Sequence, residues 1–197
     1  MAVDMCIDTG DDALSGCFVV GHVGHFEREK NHAFLLKAFS HLAAERADAR
    51  LLLVGDGSLR PEIESAAASL GLSGRVVFTG RRADTAALYQ AMDVFVMPSL
   101  FEGLPVVGME AQASGLPCVF STGVTEEVLL RPDSCRISLE QPDEAWAAVL
   151  KDADRNLPDR AQAAAQVRAA GYDIRQETLR LQQLYTGLIA KRGAAHA

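Results

Sequence analysis

The chain of 197 residues carries 26 acidic and 19 basic side chains, a formal net charge of -7, and 49% of its residues are hydrophobic. This length fits one sizeable domain, and the composition is that of a folded globular protein rather than a disordered or fibrous one. The acidic balance, with no Lys/Arg-rich run interleaved with aromatic residues, disfavours nucleic-acid binding, and the apolar stretches are far shorter than the ~20 residues of a membrane helix. The acidic start is unlike a signal peptide, so the sequence predicts a cytoplasmic protein.

Strand and helix signals alternate along the chain. Short apolar runs predict strands, each followed by a polar loop and a stretch with apolar residues at helical spacing. The predicted strands are residues 17–23, 50–54, 75–78, 94–97, 118–121 and, more weakly, 136–139. The predicted helices cover residues 34–43, 61–70, 84–92, with Asp84 as the capping residue, and 105–115.

Three further features bound the domain. Residues 1–15 show no periodic pattern and resemble a linker, residues 16–191 form the predicted domain, and residues 192–197 are predicted to be a disordered tail. Apolar residues predict a last helix whose stripe packs back on the domain; they are Ile174, Leu181, Leu184, Tyr185 and Leu188. The four cysteines, Cys6, Cys17, Cys118 and Cys135, form no C-x-x-C pair and are expected to be buried, reduced thiols.

The predicted strands are continuously apolar, which is typical of strands buried on both faces of a parallel sheet. Strands that alternate with helices then imply right-handed crossovers and an α/β, doubly wound, Rossmann-like sheet. Ligands of such sheets bind beyond the carboxyl ends of the strands. We therefore expect the loops at residues 24–30, 55–57, 79–82 and 98–105 to line one crevice.

The segment from Ser99 to Ala111 joins a buried strand to a helix, and a glutamate lies near each end. A helical projection from Pro105 places Glu110 between Val106 and Val107, which predicts a carboxylate on an apolar, buried face. A buried carboxylate needs a partner, and vicinal sugar hydroxyls or a salt bridge within the protein would each provide one.

Glu102 precedes this helix in a loop where Gly103 allows a ligand to approach the backbone. The amides of Gly103 and Leu104 and the positive end of the helix dipole are suited to a phosphate, although an exposed loop acid often has no function. Lys30 follows the first strand at the same edge and can reach that phosphate, or can be an ordinary solvated lysine.

Two other patterns point away from common cofactors. Gly55-Asp56-Gly57 lacks the third glycine of a dinucleotide fingerprint because Arg60 takes its place, so an NAD site is not expected. Asp152-Ala153-Asp154 follows a helical run rather than a strand and is interpreted as a solvated face, so no metal site or other cofactor is predicted.

Taken together, these motifs resemble the donor-binding half of group 1 glycosyltransferases (glycosyltransferase family 4), which have the GT-B fold. The resemblance extends from Ile7 to about Leu188. It rests on the E-x7-E pair Glu102 and Glu110, on Lys30-Asn31-His32, Val54-Gly55-Asp56-Gly57 with Arg60, Val77-Phe78-Thr79-Gly80, Ala91-Met92-Asp93-Val94 and Ala113-Ser114-Gly115-Leu116-Pro117. Members that act on capsular polysaccharide or exopolysaccharide are the most similar.

The resemblance implies metal-independent transfer of a sugar from a nucleotide sugar, expected to be a UDP-sugar, with retention at the anomeric carbon. It implies that Lys30 neutralises the diphosphate, that Glu102 contacts the transferred sugar and that Glu110 binds the ribose. The backbone after Gly80, at Arg81 and Arg82, would meet the base. The remaining predicted binding residues are in the same loops: Gly24, His25, Gly55, Gly57, Gly103, Leu104 and Pro105.

Two departures from the family pattern bear on function. His25 occupies a position where the family usually has an arginine beside the diphosphate, and Arg28 is a possible substitute for that charge. The acceptor-binding domain that precedes this half in the family is missing from the sequence, so we expect an acceptor domain or partner chain, little activity without it, and any peripheral membrane contact only through it. A non-catalytic nucleotide-sugar-binding or scaffold module remains the alternative, and a GT-B sugar-nucleotide epimerase a more distant one.

Overall fold

The computed structural model describes residues 14–153 and 160–194. This part of the chain contains six strands, as the sequence predicts, and seven helices, of which the fifth and sixth were not among the predicted helices and the last three follow one another. The strands are β1 (Phe18–Val23), β2 (Ala49–Val54), β3 (Val76–Gly80), β4 (Val94–Met97), β5 (Cys118–Ser121) and β6 (Cys135–Ile137). The helices are α1 (His32–Glu45), α2 (Arg60–Ser69), α3 (Thr85–Gln90), α4 (Val106–Ala113), α5 (Asp143–Ala153), α6 (Arg160–Ala169) and α7 (Ile174–Ala194).

All six strands pair in parallel in the order β3-β2-β1-β4-β5-β6. The chain therefore starts in the middle of the sheet, builds outwards to β3, crosses back and builds outwards again to β6. This is the doubly wound Rossmann order, and it places the reversal of strand order between β1 and β4. The predicted α/β fold class is confirmed.

Each face of the sheet has its own apolar core. On one face, Leu35 and Phe39 of α1 and Trp146 of α5 pack over β1, β2 and β4. On the other face, Tyr89 of α3 and Phe120 of β5 belong to the second core. Because helices cover both faces, the strand side chains are apolar at consecutive positions, and β1, β4 and β5 are buried throughout.

Several local predictions need correction. The helix predicted to reach residue 92 ends at Gln90; Asp84 is its N-cap residue as predicted, but its side chain accepts hydrogen bonds from Arg82 and makes none to the α3 amides. Cys118 is buried as expected, but Cys135 is exposed because β6 is the edge strand of the sheet. Cys6 lies outside the described residues.

The last helix differs most from the prediction. Its apolar stripe does not pack back on the domain: Ile174, Leu181, Leu184, Tyr185 and Leu188 are between 50% and 81% exposed. The other helices already cover the two faces of the sheet, so little apolar surface is left for this stripe. The helix also continues to Ala194, into the predicted tail. No helix in residues 14–153 and 160–194 combines the length and apolarity that crossing a bilayer requires.

Candidate functional site

The crevice predicted from the sequence lies where β1 and β4 diverge. The pairing between these strands ends at Gly21 and Phe95, whereas the pairing of β1 with β2 continues to Val23 and that of β4 with β5 to Met97. The loops that follow β1 and β4 therefore leave the sheet on either side of an opening. Such a switch point is the usual ligand site of an open α/β sheet.

The two residues predicted to be catalytic meet at this opening. The ammonium group of Lys30 donates a hydrogen bond to Oε1 of Glu102, although the residues are 72 positions apart in the chain. Both side chains are largely buried, with 15% and 19% of their surface exposed. A cation and a carboxylate are thus placed side by side at the carboxyl end of the central strands.

Backbone contacts fix both members of this pair. Lys30 ends a short 3-10 turn, and the next residue, Asn31, adopts a left-handed conformation with φ of 57° while its side chain donates to the Pro98 carbonyl. The Leu100 amide donates to the Glu29 carbonyl at 2.8 Å, which joins the two loops directly. Glu102 in turn donates its amide to Gly123 in the loop after β5, at 2.9 Å.

Gly24, Gly55 and Gly57 allow the loop after β1 to pack against the loop after β2. Gly55 has φ of 137°, and a Cβ there would lie 2.0 Å from the Gly24 carbonyl oxygen. A Cβ on Gly57 would lie 2.7 Å from the backbone of Phe26. Side chains at these positions would push the β1 loop away from the β2 loop. The packing accounts for the glycines, and their contact with a ligand stays a prediction.

His25 lies on the outside of the β1 loop. Its side chain is exposed, and Nδ1 is 3.3 Å from the carbonyl oxygen of Asp56. A carbonyl only accepts, so Nδ1 donates and Nε2 is left to face solvent or a ligand. The arginine that the family usually has here would extend further and carry a permanent charge.

The loop after β3 lies two strands from β1. With neighbouring strands ~4.8 Å apart, it is separated from the β1 loop by roughly 10 Å. Gly80 has φ of 69° there, which a glycine tolerates, and Arg81 is exposed. Arg82 is held by Asp84 at 2.6 Å. The predicted base-binding backbone and the predicted phosphate-binding lysine are therefore at opposite ends of one crevice.

Helix α4 begins at Val106, with Pro105 as its N-cap, so Gly103 and Leu104, whose amides were predicted to meet a phosphate, precede the first turn of the helix. Gly103 is exposed and Leu104 is half-buried. Both precede the helix immediately after Glu102. The dipole of α4 adds a partial positive charge beside Lys30.

The prediction that Glu110 lies on a buried face is wrong. Glu110 does share a side of α4 with Val106, but Val106 is 61% exposed and Glu110 is exposed too. The opposite side, with Gly108 and Gln112, is the one buried against the sheet. A Cβ on Gly108 would lie 2.8 Å from Phe120, so the small residue allows α4 to approach the sheet on that side.

Glu110 is nevertheless positioned by a residue that the sequence argument missed. The hydroxyl group of Tyr89 lies 3.1 Å from Oε2 of Glu110 and donates to it. Burial and the neighbouring carboxylate raise the pKa of Tyr89 well above its usual value, so the hydroxyl stays protonated. No sequence pattern links Tyr89, near the end of α3, to Glu110 on α4.

Two buried histidines below the Lys30 loop were also missed. His22 and His32 lie edge to face, with ring centroids 4.8 Å apart, and His32 stacks on Phe26 at 4.2 Å. Burial lowers the pKa of His22 to about 4 and that of His32 to about 2, with the nearby Lys30 charge acting in the same direction. Both rings are therefore neutral at pH 7. In the sequence, His32 stands out only within the Lys30-Asn31-His32 motif, and His22 lies in the apolar run of β1, so neither was assigned a role.

The pattern of the family described as "Glycosyl transferases group 1" matches residues 17–154, which include the whole crevice. The chain belongs to this family. EpsF of Bacillus subtilis (strain 168) is 42% identical over 173 residues, which cover 85% of this chain and 44% of EpsF. The UDP-Gal:alpha-D-GlcNAc-diphosphoundecaprenol alpha-1,3-galactosyltransferase of Escherichia coli is 35% identical over 53% of this chain and 28% of its own length.

The fold agrees with this assignment. The crystal structure of Anabaena Alr3699/HepE in complex with UDP superposes with a TM-score of 0.74 and 22% identity over 88% of this chain and 50% of that one. The group 1 glycosyltransferase sheet described above thus corresponds to one Rossmann-like half of a GT-B protein. The chain spans half or less of the length of these relatives.

The charged groups of this crevice fall into a positive set and a negative set. Lys30 and the start of α4 offer positive charge at the switch point, whereas Glu102 and Glu110 offer hydrogen-bond acceptors. An anionic group fits beside the first pair and hydroxyl groups fit beside the second. Within residues 14–153 and 160–194, no cluster of three or more His, Cys, Asp or Glu side chains is arranged to hold a metal ion.

Proposed function

We propose that this chain is the donor-binding half of a retaining glycosyltransferase and holds a nucleotide-diphospho sugar, most simply a UDP-sugar. The observation that carries the proposal is the Lys30–Glu102 pair at the switch point of a sheet that belongs to the group 1 glycosyltransferases. Two of the similar proteins support the choice of nucleotide: one is named for UDP-Gal and the other was crystallised with UDP.

The proposed roles follow from the chemistry of the bond that breaks. Cleavage of the bond between the sugar and the diphosphate builds negative charge on the phosphate and positive character on the sugar ring. Lys30 and the amide end of α4 stabilise the first charge. Glu102 is within reach of the second and contacts the sugar. Because a lysine and helix amides supply the positive charge, we propose that no divalent metal is needed.

The remaining contacts run along the crevice. Glu110, held by Tyr89, accepts hydrogen bonds from the ribose hydroxyls, and the backbone at Arg81 and Arg82 receives the base. The base is then bound at the β3 loop, the diphosphate at the β1 loop, and the ribose and the sugar beside the segment that follows β4. Retention at the anomeric carbon is part of the proposal through the family resemblance.

We further propose that an acceptor-binding half, in the same protein or on a partner chain, completes the enzyme. The chain covers 44% of EpsF and 50% of the Anabaena protein. The apolar stripe of α7, with Tyr185 59% exposed and Leu188 53% exposed, offers a surface for such a partner. The proposed setting is cytoplasmic polysaccharide or glycoconjugate synthesis.

Calorimetric titration of the 197-residue chain with UDP, UDP-glucose and UDP-galactose, with and without EDTA, tests the site. We expect weak binding that EDTA leaves unchanged, and binding that is weaker but still measurable in Lys30→Ala. Lys37→Ala is the matched control, since Lys37 is exposed on α1 away from the crevice. Absence of binding at millimolar nucleotide would refute the site, and strict dependence on Mg²⁺ or Mn²⁺ would refute the metal-free mechanism.

A non-catalytic nucleotide-sugar-binding module is the second candidate, favoured by the ion pair in which Glu102 already occupies the ammonium group of Lys30. Fusion of this chain to the acceptor half of a relative such as EpsF separates the two. Sugar transfer by the fusion, lost in Glu102→Gln, would support the enzyme. A fusion that binds UDP-sugar without turnover would support the binding module.

A further inference from the structure

At each end of the β1–β4 pairing, a side chain makes a hydrogen bond between the two strands. At the amino end, Oδ2 of Asp93 accepts a hydrogen bond of 2.6 Å from the Val19 amide. At the carboxyl end, Nδ1 of His22 lies 2.8 Å from the carbonyl oxygen of Val96. The backbone pairing between the strands has already ended one residue earlier, at Gly21 and Phe95. The His22 contact therefore continues the pairing by one step, at the point where the crevice opens.

The environment of His22 fixes its protonation. The Val96 carbonyl can only accept, so Nδ1 carries the proton, and a neutral ring then has a lone pair on Nε2. The ring is fully buried between Phe95, with centroids 6.4 Å apart, and His32. It is thus a rigid, neutral spacer between two strands that have stopped pairing.

His22 also reaches the loop that carries the catalytic lysine. A Cβ built on Gly24 would lie 2.9 Å from Nε2 of His22 and 3.4 Å from Cδ and Cε of Lys30. The histidine and the lysine stem therefore flank the same glycine. On the other side, Val96 is two residues before Pro98, which receives the Asn31 side chain. The His22 imidazole thus lies where the loops after β1 and β4 begin, and these loops carry Lys30 and Glu102.

We propose that His22 is a positioning residue for the transferase site: by bridging β1 to β4 it sets the separation of the two loops and so holds Lys30 against Glu102. The inference deepens the proposed function and rests on it for its first readout. Nothing in this role requires His22 to touch the nucleotide. It acts on binding only through Lys30.

A double-mutant cycle tests this dependence. In His22→Asn the amide nitrogen replaces Nδ1 and can still donate to Val96, whereas His22→Val removes the donor. We expect UDP affinity to fall roughly fivefold or more in His22→Val and less than about twofold in His22→Asn. In a Lys30→Ala background, His22→Val should change affinity less than about twofold, because the residue through which it acts is gone.

Asp93→Ala is the matched control, since it removes the corresponding bond at the other end of the same strand pair. It should lower thermal stability without changing UDP affinity. Equal losses of affinity in His22→Val and Asp93→Ala would overturn the proposal, because general loosening of the sheet would then explain both. A full loss from His22→Val in the Lys30→Ala background would overturn it as well.

A second readout needs no nucleotide. The rate of Lys30 acetylation, followed by peptide mass spectrometry, should rise severalfold in His22→Val and stay unchanged in His22→Asn and Asp93→Ala. If the wild-type chain binds no UDP, the proposed function fails and this rate alone decides the positioning role; an unchanged rate in His22→Val overturns it. If that variant does not fold, ¹⁵N NMR of the wild-type histidines decides: a proton on Nδ1 of His22 supports the bridge, and a proton on Nε2 refutes it.

Discussion

The two buried histidines make a strong prediction about stability in mild acid. His22 and His32 are 0% and 2% exposed, and burial lowers their pKa values from 6.5 to about 4 and about 2. Below pH 6.5 the unfolded chain takes up protons at these positions while the folded chain does not. The free energy of unfolding is therefore highest above about pH 7 and falls as the pH decreases through the window from 6.5 to 4.

The magnitude follows from linkage. Each histidine that is protonated only in the unfolded state removes about 1.4 kcal/mol per pH unit, so the pair removes nearly 3 kcal/mol per unit well below pH 6.5. Between pH 7 and 5.5 we expect a loss of roughly 2 to 3 kcal/mol. The carboxylates with shifted pKa values, Glu45, Asp48 and Asp84, are all lowered by Lys or Arg partners and lose their contributions below this window.

Urea denaturation at pH 7.5, 6.5 and 5.5, at constant ionic strength, measures this loss. In His32→Phe, which keeps an aromatic ring on Phe26, the dependence on pH should be about half that of the wild type. His41→Gln serves as the control, because His41 is partly exposed and pairs with the exposed Glu144. A wild-type stability that does not change between pH 7.5 and 5.5, or a His32→Phe variant with the full wild-type slope, would refute the reasoning.

Three further predictions concern the crevice and its support. His25→Arg should tighten UDP binding by ~1 kcal/mol at most, since the position is exposed and solvent screens its charge. Titrations of both proteins with UDP at pH 5.5 and 8 measure this. Identical affinities throughout would show that position 25 does not contact phosphate. Glu110→Gln should weaken UDP and UDP-sugar alike by ~1 to 3 kcal/mol, whereas Glu102→Gln should affect only the UDP-sugar and the transfer reaction; equal loss of UDP affinity in both variants would contradict the division of roles. Gly108→Ala should lower the melting temperature by several degrees, because the new methyl group would lie 2.8 Å from Phe120. Such overpacking costs ~1 to 3 kcal/mol, partly offset by the helix preference of alanine. An unchanged or higher melting temperature by calorimetry would contradict the close packing of α4.

The sequence predicts the sheet well because each strand is a short, continuously apolar run between polar loops. That pattern depends only on burial on both faces, which every strand of a covered parallel sheet shares. The crevice follows from the same pattern, because the carboxyl ends of parallel strands share one edge. Lys30 and Glu102 were predicted at that edge, and the structure brings them into contact.

The wrong predictions concern which side of a helix packs against the rest of the domain. A helical projection groups Glu110 with Val106 correctly, but it does not tell which side of α4 meets the sheet. Hydrophobicity favours the valine side, yet Gly108 and Gln112 are the buried residues because Phe120 fills the space beside the glycine. Likewise the stripe of α7 is amphipathic in the sequence, and only the packing shows that the domain leaves it exposed.

The charges in the crevice also bear on how tightly this chain alone can hold a nucleotide diphosphate. The ammonium group of Lys30 is shared with Glu102, and position 25 carries a histidine that donates to Asp56 instead of a permanently charged arginine. Lys30 therefore offers a diphosphate a charge that a carboxylate partly offsets, and the end of α4 adds a partial positive charge. Glu110 adds a further negative charge on the open side. Because favourable and unfavourable charges nearly balance, we expect most of the affinity of the isolated chain to come from the base and ribose contacts. Tight binding of the diphosphate then requires another positive group, which the exposed Arg28 of the same loop or the proposed acceptor-binding half would supply.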